Sequence, residues 1–531
     1  MSVTRRTTLG AALGGLAGTM AAPRLASAQN ARVLRFVPQA DLSSLDPVMA
    51  TLQVVRNASL LVWDTLYGID SRFEPRPQMA EGHETSADGL TWTFRLREGL
   101  KFHDGTPVLA RDAVASIRRW MPRDVMGARL LRVLDEMAAT DDRTFRVRLK
   151  QPFPKLLLAF AKSTTLLLCV MPERIASTDS FKPITEYVGS GPMVFRRDEW
   201  VAGARAVFAR FDGYVPRTEP NDWLSGGKRM SLDRIEWTTM PDAGTAAAAL
   251  QAGEIDWWEA AVTDLVPLLK RNRGVQVDIA DPLGNVGLLK INHLHAPFSD
   301  PRARQAIQLI VDQADYMQAV TGDDAVWKPM PSFFTPGTSY YTEAGGERLK
   351  GPRRFDEAKR LLAEAGYKGE PIVLPVGTDV PIVKNQGEVT ADVLKRAGVN
   401  VELLSMDWGS QSARAANKAA PGSGGWHLSH TWVAGAECVT PAGHKALDAS
   451  GVSALSGWAK SDAVQGAIDE WFTLTDAAAS KASMDKIDRV SMEFVTVVPT
   501  GFFQSYTARR KTVEGVAKSP YPQFWGVTKT G

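Results

Sequence analysis

A mixed α/β fold is what this sequence predicts, and two observations predict it. Stretches of strict period-two apolar alternation recur beside amphipathic helical stretches with recognisable start and stop residues, and no self-similarity at a period of roughly 20 to 50 residues points to a solenoid. At 531 residues and 57.8 kDa, with 44% hydrophobic residues, the chain exceeds one typical folding unit and carries apolar surface for two or three domains.

From the first residue onward, Arg5-Arg6 follow Thr4, an apolar stretch runs from Leu9 to Ala22, and Ala26-Ser27-Ala28 offers small residues for cleavage. That order reads residues 1–28 as a twin-arginine export signal, the address of proteins that cross a membrane already folded, with the mature chain starting near Gln29. Beyond it no uninterrupted apolar run reaches the roughly 18 residues of a membrane-spanning helix, so the mature chain is expected to be soluble. No cysteine follows the signal to carry a lipid; Cys169 and Cys438 are too few for a disulfide framework and are expected to be unpaired, buried thiols. Basic and acidic residues nearly cancel, 62 against 59, with mixed signs and no basic block, which argues against a nucleic-acid partner.

Strand patterning is clearest where Leu90, Trp92, Phe94 and Leu96 alternate with Thr91, Thr93, Arg95 and Arg97, and where Phe145, Val147 and Leu149 interleave with Arg146, Arg148 and Lys150. A period of two buries one face of each strand, and the two stretches are expected in one antiparallel sheet. Helix punctuation follows. Asp300 before Pro301 supplies an N-cap acceptor and a first-turn proline, after which Ala303, Ala306, Ile307 and Ile310 share one face. Asp356 is expected to cap a second helix, with Leu361, Leu362 and Ala365 inward and Gly366 past its end; a third runs from Thr245 to Gly253. Gly, Pro and Ser cluster near 189–192, 217–230, 331–339 and 420–425, which read as loops.

Residues 86–106, SADGLTWTFRLREGLKFHDGT, are similar to the most diagnostic segment of the family 5 extracellular solute-binding proteins of peptide and nickel importers. Other stretches resemble the family in the same order: Leu45-Asp46-Pro47, the glycine turn Gly189-Ser190-Gly191-Pro192, Leu250-Gln251-Ala252-Gly253-Glu254-Ile255-Asp256, Pro297-Phe298-Ser299-Asp300 with Arg304-Gln305-Ala306, and Phe355-Asp356-Glu357-Ala358-Lys359 through Tyr367. These residues suit turns and helix ends, so they identify a scaffold and name no ligand. The resemblance implies a periplasmic-binding-protein-like type II (cluster C) fold, two hinged lobes with an inserted accessory domain. The main lobe is placed at 29–75, 189–290 and 499–531, the accessory domain at 76–188 and the second lobe at 291–498, with crossings near Asn285 to Asn292 and Val495 to Gly501.

Family peptide binders anchor the ligand's ammonium on an aspartate three residues after a tryptophan in the second lobe. Trp432 matches that tryptophan, and Gly435 stands where the aspartate would be, which puts peptide specificity in doubt because a desolvated ammonium without a carboxylate is costly. Glu437 is a replacement anchor; the competing reading is a solvated loop carboxylate. Thr51 and Gln53 sit where relatives address a ligand's main chain, and Asn285, at the first crossing, joins them. Trp408 and Trp432 are candidate stacking walls against the plain alternative that most of 15 tryptophans are core. His427 and His430 are weighed as metal ligands because nickel binders of the family use histidine, but no carboxylate or cysteine cluster accompanies them, and surface or supporting roles are preferred. His293 and His295 are not counted as ligands.

The expectation is therefore a soluble periplasmic receptor, monomeric and without cofactor or metal, that closes on a small solute or peptide and delivers it to an ABC permease and its ATPase. A secreted hydrolase and a receptor feeding a chemoreceptor or sensor are the alternatives. The first lacks a G-x-S-x-G elbow, an H-E-x-x-H and a P-loop. The second differs in its partner and not in its closure.

Overall fold

Period-two alternation produces the expected sheet. Strands Thr91–Leu96 and Thr144–Leu149 pair antiparallel, with Trp92 opposite Val147 and Phe94 opposite Phe145, so the apolar face is buried while Arg95, Arg146 and Arg148 are exposed. Strands Ala80–Thr85 and Leu134–Ala139 flank them in a four-stranded sheet. The computed structural model describes residues 32–530, so the export signal read at 1–28 lies outside the described residues.

A second sheet has seven strands in the order Val275–Asp278, Tyr506–Arg510, Trp257–Ala261, Val33–Val37, Arg234–Thr238, Arg205–Arg210 and Met193–Phe195. Val33–Val37 runs parallel to both of its neighbours, and the remaining pairings are antiparallel. Strands Trp327–Lys328, Val497–Phe503, Asn285–Ile291 and Leu428–Ala434 make a third, antiparallel sheet, and Ile372–Gly377 pairs parallel with Val401–Met406. The mixed α/β prediction thus holds. The chain leaves the seven-stranded sheet after Asp278, enters the third sheet at Asn285, and returns from Phe503 to Tyr506 within three residues. Strands Asn285–Ile291 and Val497–Phe503 lie side by side, so the outgoing and returning segments are held together by a backbone ladder.

Helix Pro301–Ile310 begins as its sequence demands: the Asp300 carboxylate accepts from Arg302 N, and Ala303, Ala306, Ile307 and Ile310 are buried. Two helix starts differ from expectation. Helix Ala243–Ala252 starts before Thr245 because Asp242, not Thr245, is the cap, its side chain accepting from Thr245 N. Helix Phe355–Glu364 takes in Asp356 as a first-turn residue, where its charge favours the helix N-terminus without capping it. Gly253 and Gly366 follow these helices in the left-handed conformation. Pro421–Ser423 is a single tight turn.

The family motifs hold segments together. Asp46 accepts from Arg119 Nη1 and Nη2 at 3.1 and 2.9 Å and from Ile184 N at 2.9 Å, which ties the early loop to helix Ala110–Trp120. Asp256 receives Arg35 through its backbone N–H and its guanidinium, and Lys529 at 2.9 Å. At Gly189 a Cβ would lie 1.8 Å from the Val62 carbonyl oxygen, so the turn passes against helix Gln53–Val62 only without a side chain. Cys169 and Cys438 are free and buried, as expected.

Candidate functional site

Strand Val33–Val37 has its next strand, Arg234–Thr238, on one side and Trp257–Ala261 on the other, all three parallel. Such a reversal of strand order leaves a crevice beyond the carboxyl ends of the strands. Here the crevice is a cavity of about 90 Å³, against the roughly 10 to 15 Å³ that one water requires on the same measure. It is lined by Gln39 just after the first strand, Gln53 and Arg56 from helix Gln53–Val62, Glu259 from strand Trp257–Ala261, Asp281 and Asn285 from the outgoing segment, and Ser519 and Tyr521 from the C-terminal strap.

The local fold explains how these polar groups reach one place. Helix Gln53–Val62 is buried along nearly its whole length, which carries Arg56 and Asn57 into the interior with the apolar residues around them. Arg56 donates from Nε and Nη2 to Asn57 Oδ1 at 3.1 and 2.9 Å and from Nη2 to the Pro520 carbonyl at 3.3 Å; its guanidinium lies 5.4 Å from the Tyr521 ring centre. Asn57 Nδ2 in turn donates to Glu259 Oε1 at 3.0 Å, and Gln39 N donates to Glu259 Oε2 at 2.8 Å. Trp257 walls the cavity, with its indole N–H held by Thr507 Oγ1 at 2.7 Å.

Electrostatically the cavity is unbalanced. Arg56 is only 3% exposed, yet no carboxylate lies within ion-pair distance of it among the described residues, and its Nη1 has no hydrogen-bond partner; neither has Ser519 Oγ. Burial lowers the Arg56 pKa, opposed by Tyr521, Asp281, Glu437 and Glu259. Burial also pushes the Glu259 carboxyl up to about 7, against the Gln39 N–H, the Arg56 charge and the Asn57 amide. Asp281 is likewise raised to about 7 by burial, although the Leu283 and Gly284 N–H groups favour its ionised form. Both residues are half-buried in the wall of the cavity.

Of the residues named from sequence, Gln53 and Asn285 line this cavity, and Glu437, half-buried on the turn Gly435–Cys438, acts on Arg56 through space. Thr51 is exposed and outside it. Trp408 and Trp432 are half-buried against each other, ring centres 5.6 Å apart, and neither lines the cavity; Trp432 stands opposite Gly287, two residues along the strand from Asn285. Gly435 is packed against the outgoing segment. Its N–H donates to the Gly284 carbonyl, its carbonyl accepts from Thr335 Oγ1, and a Cβ would fall 1.8 Å from the Leu283 carbonyl oxygen. No aspartate fits there, so the departure from the peptide-binding pattern is built into the backbone packing.

Of the surface and supporting roles left open for His427 and His430, the structure shows the buried one: both rings lie inside the fold. His427 Nδ1 accepts from Val373 N and its Nε2 donates to the Ala296 carbonyl; His430 Nε2 meets Thr390 Oγ1 at 2.7 Å. Burial lowers their pKa values to about 4 and about 3, which keeps both rings neutral. No group of three or more His, Cys, Asp or Glu suited to a metal occurs among the described residues. Sequence reasoning missed Arg56, Glu259, Asp281, Ser519 and Tyr521. A usable signal was present: Arg56-Asn57 interrupts the apolar face of Val54, Val55, Leu60 and Leu61, and Glu259 follows Trp257-Trp258 in a buried strand.

Comparison with known proteins bears on this arrangement. The family described as bacterial extracellular solute-binding proteins, family 5 Middle, matches residues 74–434. The probable peptide ABC transporter periplasmic-binding protein y4tO of Sinorhizobium fredii (strain NBRC 101917 / NGR234) is 34% identical over 537 residues, covering 100% of both chains. The glutathione-binding protein GsiB of Escherichia coli (strain K12) is 26% identical over 401 residues, 73% of each chain. Among solved structures, the PBP AgaA in complex with agropinic acid from A.tumefacien R10 has a TM-score of 0.77 at 21% identity, covering 94% of this chain and 99% of that one. NikZ from Campylobacter jejuni in complex with Ni(L-His) has a TM-score of 0.76 at 15% identity, covering 94% and 100%.

Proposed function

The chain belongs to the bacterial extracellular solute-binding proteins of family 5, and on that premise we propose that it is the periplasmic binding component of an ABC importer, taking one small solute into the cavity around Arg56 and delivering it to the permease. One observation carries this reading: a solvent-reaching cavity at the strand-order reversal gathers a buried arginine and two half-buried carboxyls that form no ion pair with it.

The lobes assigned to this work are 29–75 with 189–290 and 499–531 on one side and 291–498 on the other, with 76–188 as the accessory domain. Sheet membership supports the division, since the seven-stranded sheet draws all its strands from the first set. The crossings expected near Asn285 to Asn292 and Val495 to Gly501 fall on the paired strands Asn285–Ile291 and Val497–Phe503, which are then the hinge, and a solute touching both lobes favours the closed form by its differential contacts. The twin-arginine pattern at 1–28 supports export to the periplasm in the folded state. Relatives are named for peptides, glutathione and agropinic acid, so the family accommodates several solute chemistries; the blocked position at Gly435 argues against the peptide anchor. Nothing in the cavity requires turnover, and capture with release is the proposed activity.

The test is recovery of the solute. Protein purified from its native host is denatured, the released compound identified by mass spectrometry and returned to refolded protein. One equivalent is expected to rebind unchanged, and Asn285→Trp, which fills the cavity, to weaken it at least tenfold. Steady conversion of the compound, or affinity untouched by Asn285→Trp, overturns the reading.

A further inference from the structure

We propose, resting on the division into main lobe, accessory domain and second lobe, that the accessory domain is a clasp: Arg129, Phe153 and Lys155 grip the second lobe at Trp471 and Phe472, and this contact, remote from the solute cavity, favours the closed form.

The walls of the cavity show the need for it. Apart from Asn285 at the crossing, every residue lining the cavity around Arg56 belongs to the main lobe. A bound solute moves the lobes only through what it touches on both, so what holds the second lobe down lies largely elsewhere. The accessory domain is placed to supply it. The Asp46–Arg119 pair, with side chains 4% and 1% exposed, and the Trp63 indole N–H on the Val188 carbonyl fasten that domain to the main lobe. The second lobe is joined to the main lobe through the paired strands Asn285–Ile291 and Val497–Phe503, so a contact between accessory domain and second lobe is one that closure makes and opening breaks.

That contact is built from cations laid on rings. Arg129, on helix Val125–Val133, places its guanidinium 3.9 Å from the Phe472 ring centre and donates to Asp469 Oδ1 at 2.7 Å. Phe153 stacks on the opposite partner, its ring 6.2 Å from Phe472 at 14°. Lys155 Nζ lies 4.5 Å from the Trp471 ring centre and donates to Ser480 Oγ at 3.1 Å, so it spans the end of helix Asp462–Thr473 and the start of helix Ala477–Phe494. Phe153, Trp471 and Phe472 are buried in this arrangement. Such cation–ring contacts gain most where the cation is partly desolvated, as Arg129 is at 16% exposure.

The seam has the character of a docking surface and not of a core. Two cavities run along it, one of about 120 Å³ between Arg132 and His444 with Ile468, the other of about 40 Å³ between Leu158 and Val439. A core is packed without voids of the larger size, whereas contacts between domains are gapped and more polar. Asp469 is 52% exposed, so its pair with Arg129 re-enters water readily when the lobes part. A clasp of this kind sets the fraction of closed molecules, and through it the apparent affinity, without touching the solute.

The experiment measures the opening directly, on the full mature protein freed of bound solute. Spin labels are placed at Leu131→Cys on the accessory domain and Val452→Cys on the second lobe, both exposed, while Cys169 and Cys438 are buried and stay unlabelled. Electron-electron distance distributions then give the ratio of short, closed to long, open molecules. Arg129→Glu, which removes the cation from the ring and sets like charge against Asp469, is expected to lower that ratio about tenfold, the scale of one cation–ring contact and one exposed ion pair lost together. Adding Phe153→Ala and Lys155→Ala should make the long distance the major one, and Asp469→Arg in the Arg129→Glu chain should recover part of the short one. Tm of each variant reports folding, and Arg129→Gln is the milder substitute where Arg129→Glu does not fold. Two distances in the same proportion in every variant overturn the clasp and leave the hinge standing. One narrow distance in every variant, the triple one included, overturns the hinged lobes together with the clasp.

Discussion

Two buried charged clusters in this protein are solved in opposite ways. Around Asp64 the charges are paired: Lys228 Nζ donates at 2.7 Å, Tyr214 Oη at 2.8 Å and Thr65 N at 3.0 Å, and both ionic side chains are almost wholly buried. Around Arg56 the charges sit close enough to feel one another but form no ion pair, and donors are left over. Burial penalises the Arg56 charge as it does that of Lys228, and only Lys228 has a carboxylate within ion-pair distance to offset that penalty. The difference teaches which buried charges are structural and which wait for a partner from outside. Paired ones hold segments, as Asp46 holds Arg119 and Asp256 holds Arg35 and Lys529. Unpaired ones facing a cavity are the groups proposed to meet a solute.

The largest expected effect breaks the comparison at its paired end. Lys228→Met strips Asp64 of its cation and is expected to cost about 3–5 kcal/mol in denaturant unfolding at pH 7, since one buried partner is then left alone. Asp64→Asn in the same chain should restore part of that loss, because the lone carboxylate is gone. A loss below about 1 kcal/mol, the scale of an exposed pair, would mean that the cluster is not the structural pin described.

The paired end is also the part that was legible in sequence. Asp46 and Asp256 belong to the stretches that resemble the family, and period-two alternation at Thr91–Leu96 and Thr144–Leu149 fixed a sheet whose register follows from which face is apolar. Asp300 with Pro301 announced a helix start by local chemistry alone. The cavity was not legible, because Gln39, Arg56, Glu259, Asp281 and Tyr521 are brought together from five separate stretches by a sheet whose strand order no local pattern encodes. Gln53 and Asn285 were reached through resemblance; Gly435 was noticed as an absence, and its reason, the Leu283 carbonyl, lies 152 positions earlier in the chain and so outside any local reading.

A smaller effect sharpens the unpaired end. Glu259 has its folded pKa raised to about 7, so its contribution to stability is complete at low pH and is lost as pH rises through 7. Glu259→Gln, fixed in the neutral form, avoids that loss. The variant is expected to be more stable than the unliganded parent at pH 8 by about 0.5–2 kcal/mol, the usual gain when a functional site is relieved, and no more stable at pH 5. Denaturant midpoints at the two pH values measure it, and an equal difference at both would show that the carboxyl does not titrate there.

The smallest effect asks how far the site reaches toward the second lobe. Trp408 and Trp432 face each other across 5.6 Å at 38°, one strand away from the residues that line the cavity. If they only pack, a double-mutant cycle of Trp408→Ala and Trp432→Ala should give a coupling of about 0.5–1.5 kcal/mol in stability and leave affinity for the solute within twofold. If the pair is the wall that the second lobe presses onto the solute, affinity falls tenfold or more in Trp432→Ala while the stability coupling stays the same. The first outcome confines recognition to the lobe that holds Arg56 and makes closure a lid; the second divides recognition between the lobes, because closure then adds contacts that the open form lacks.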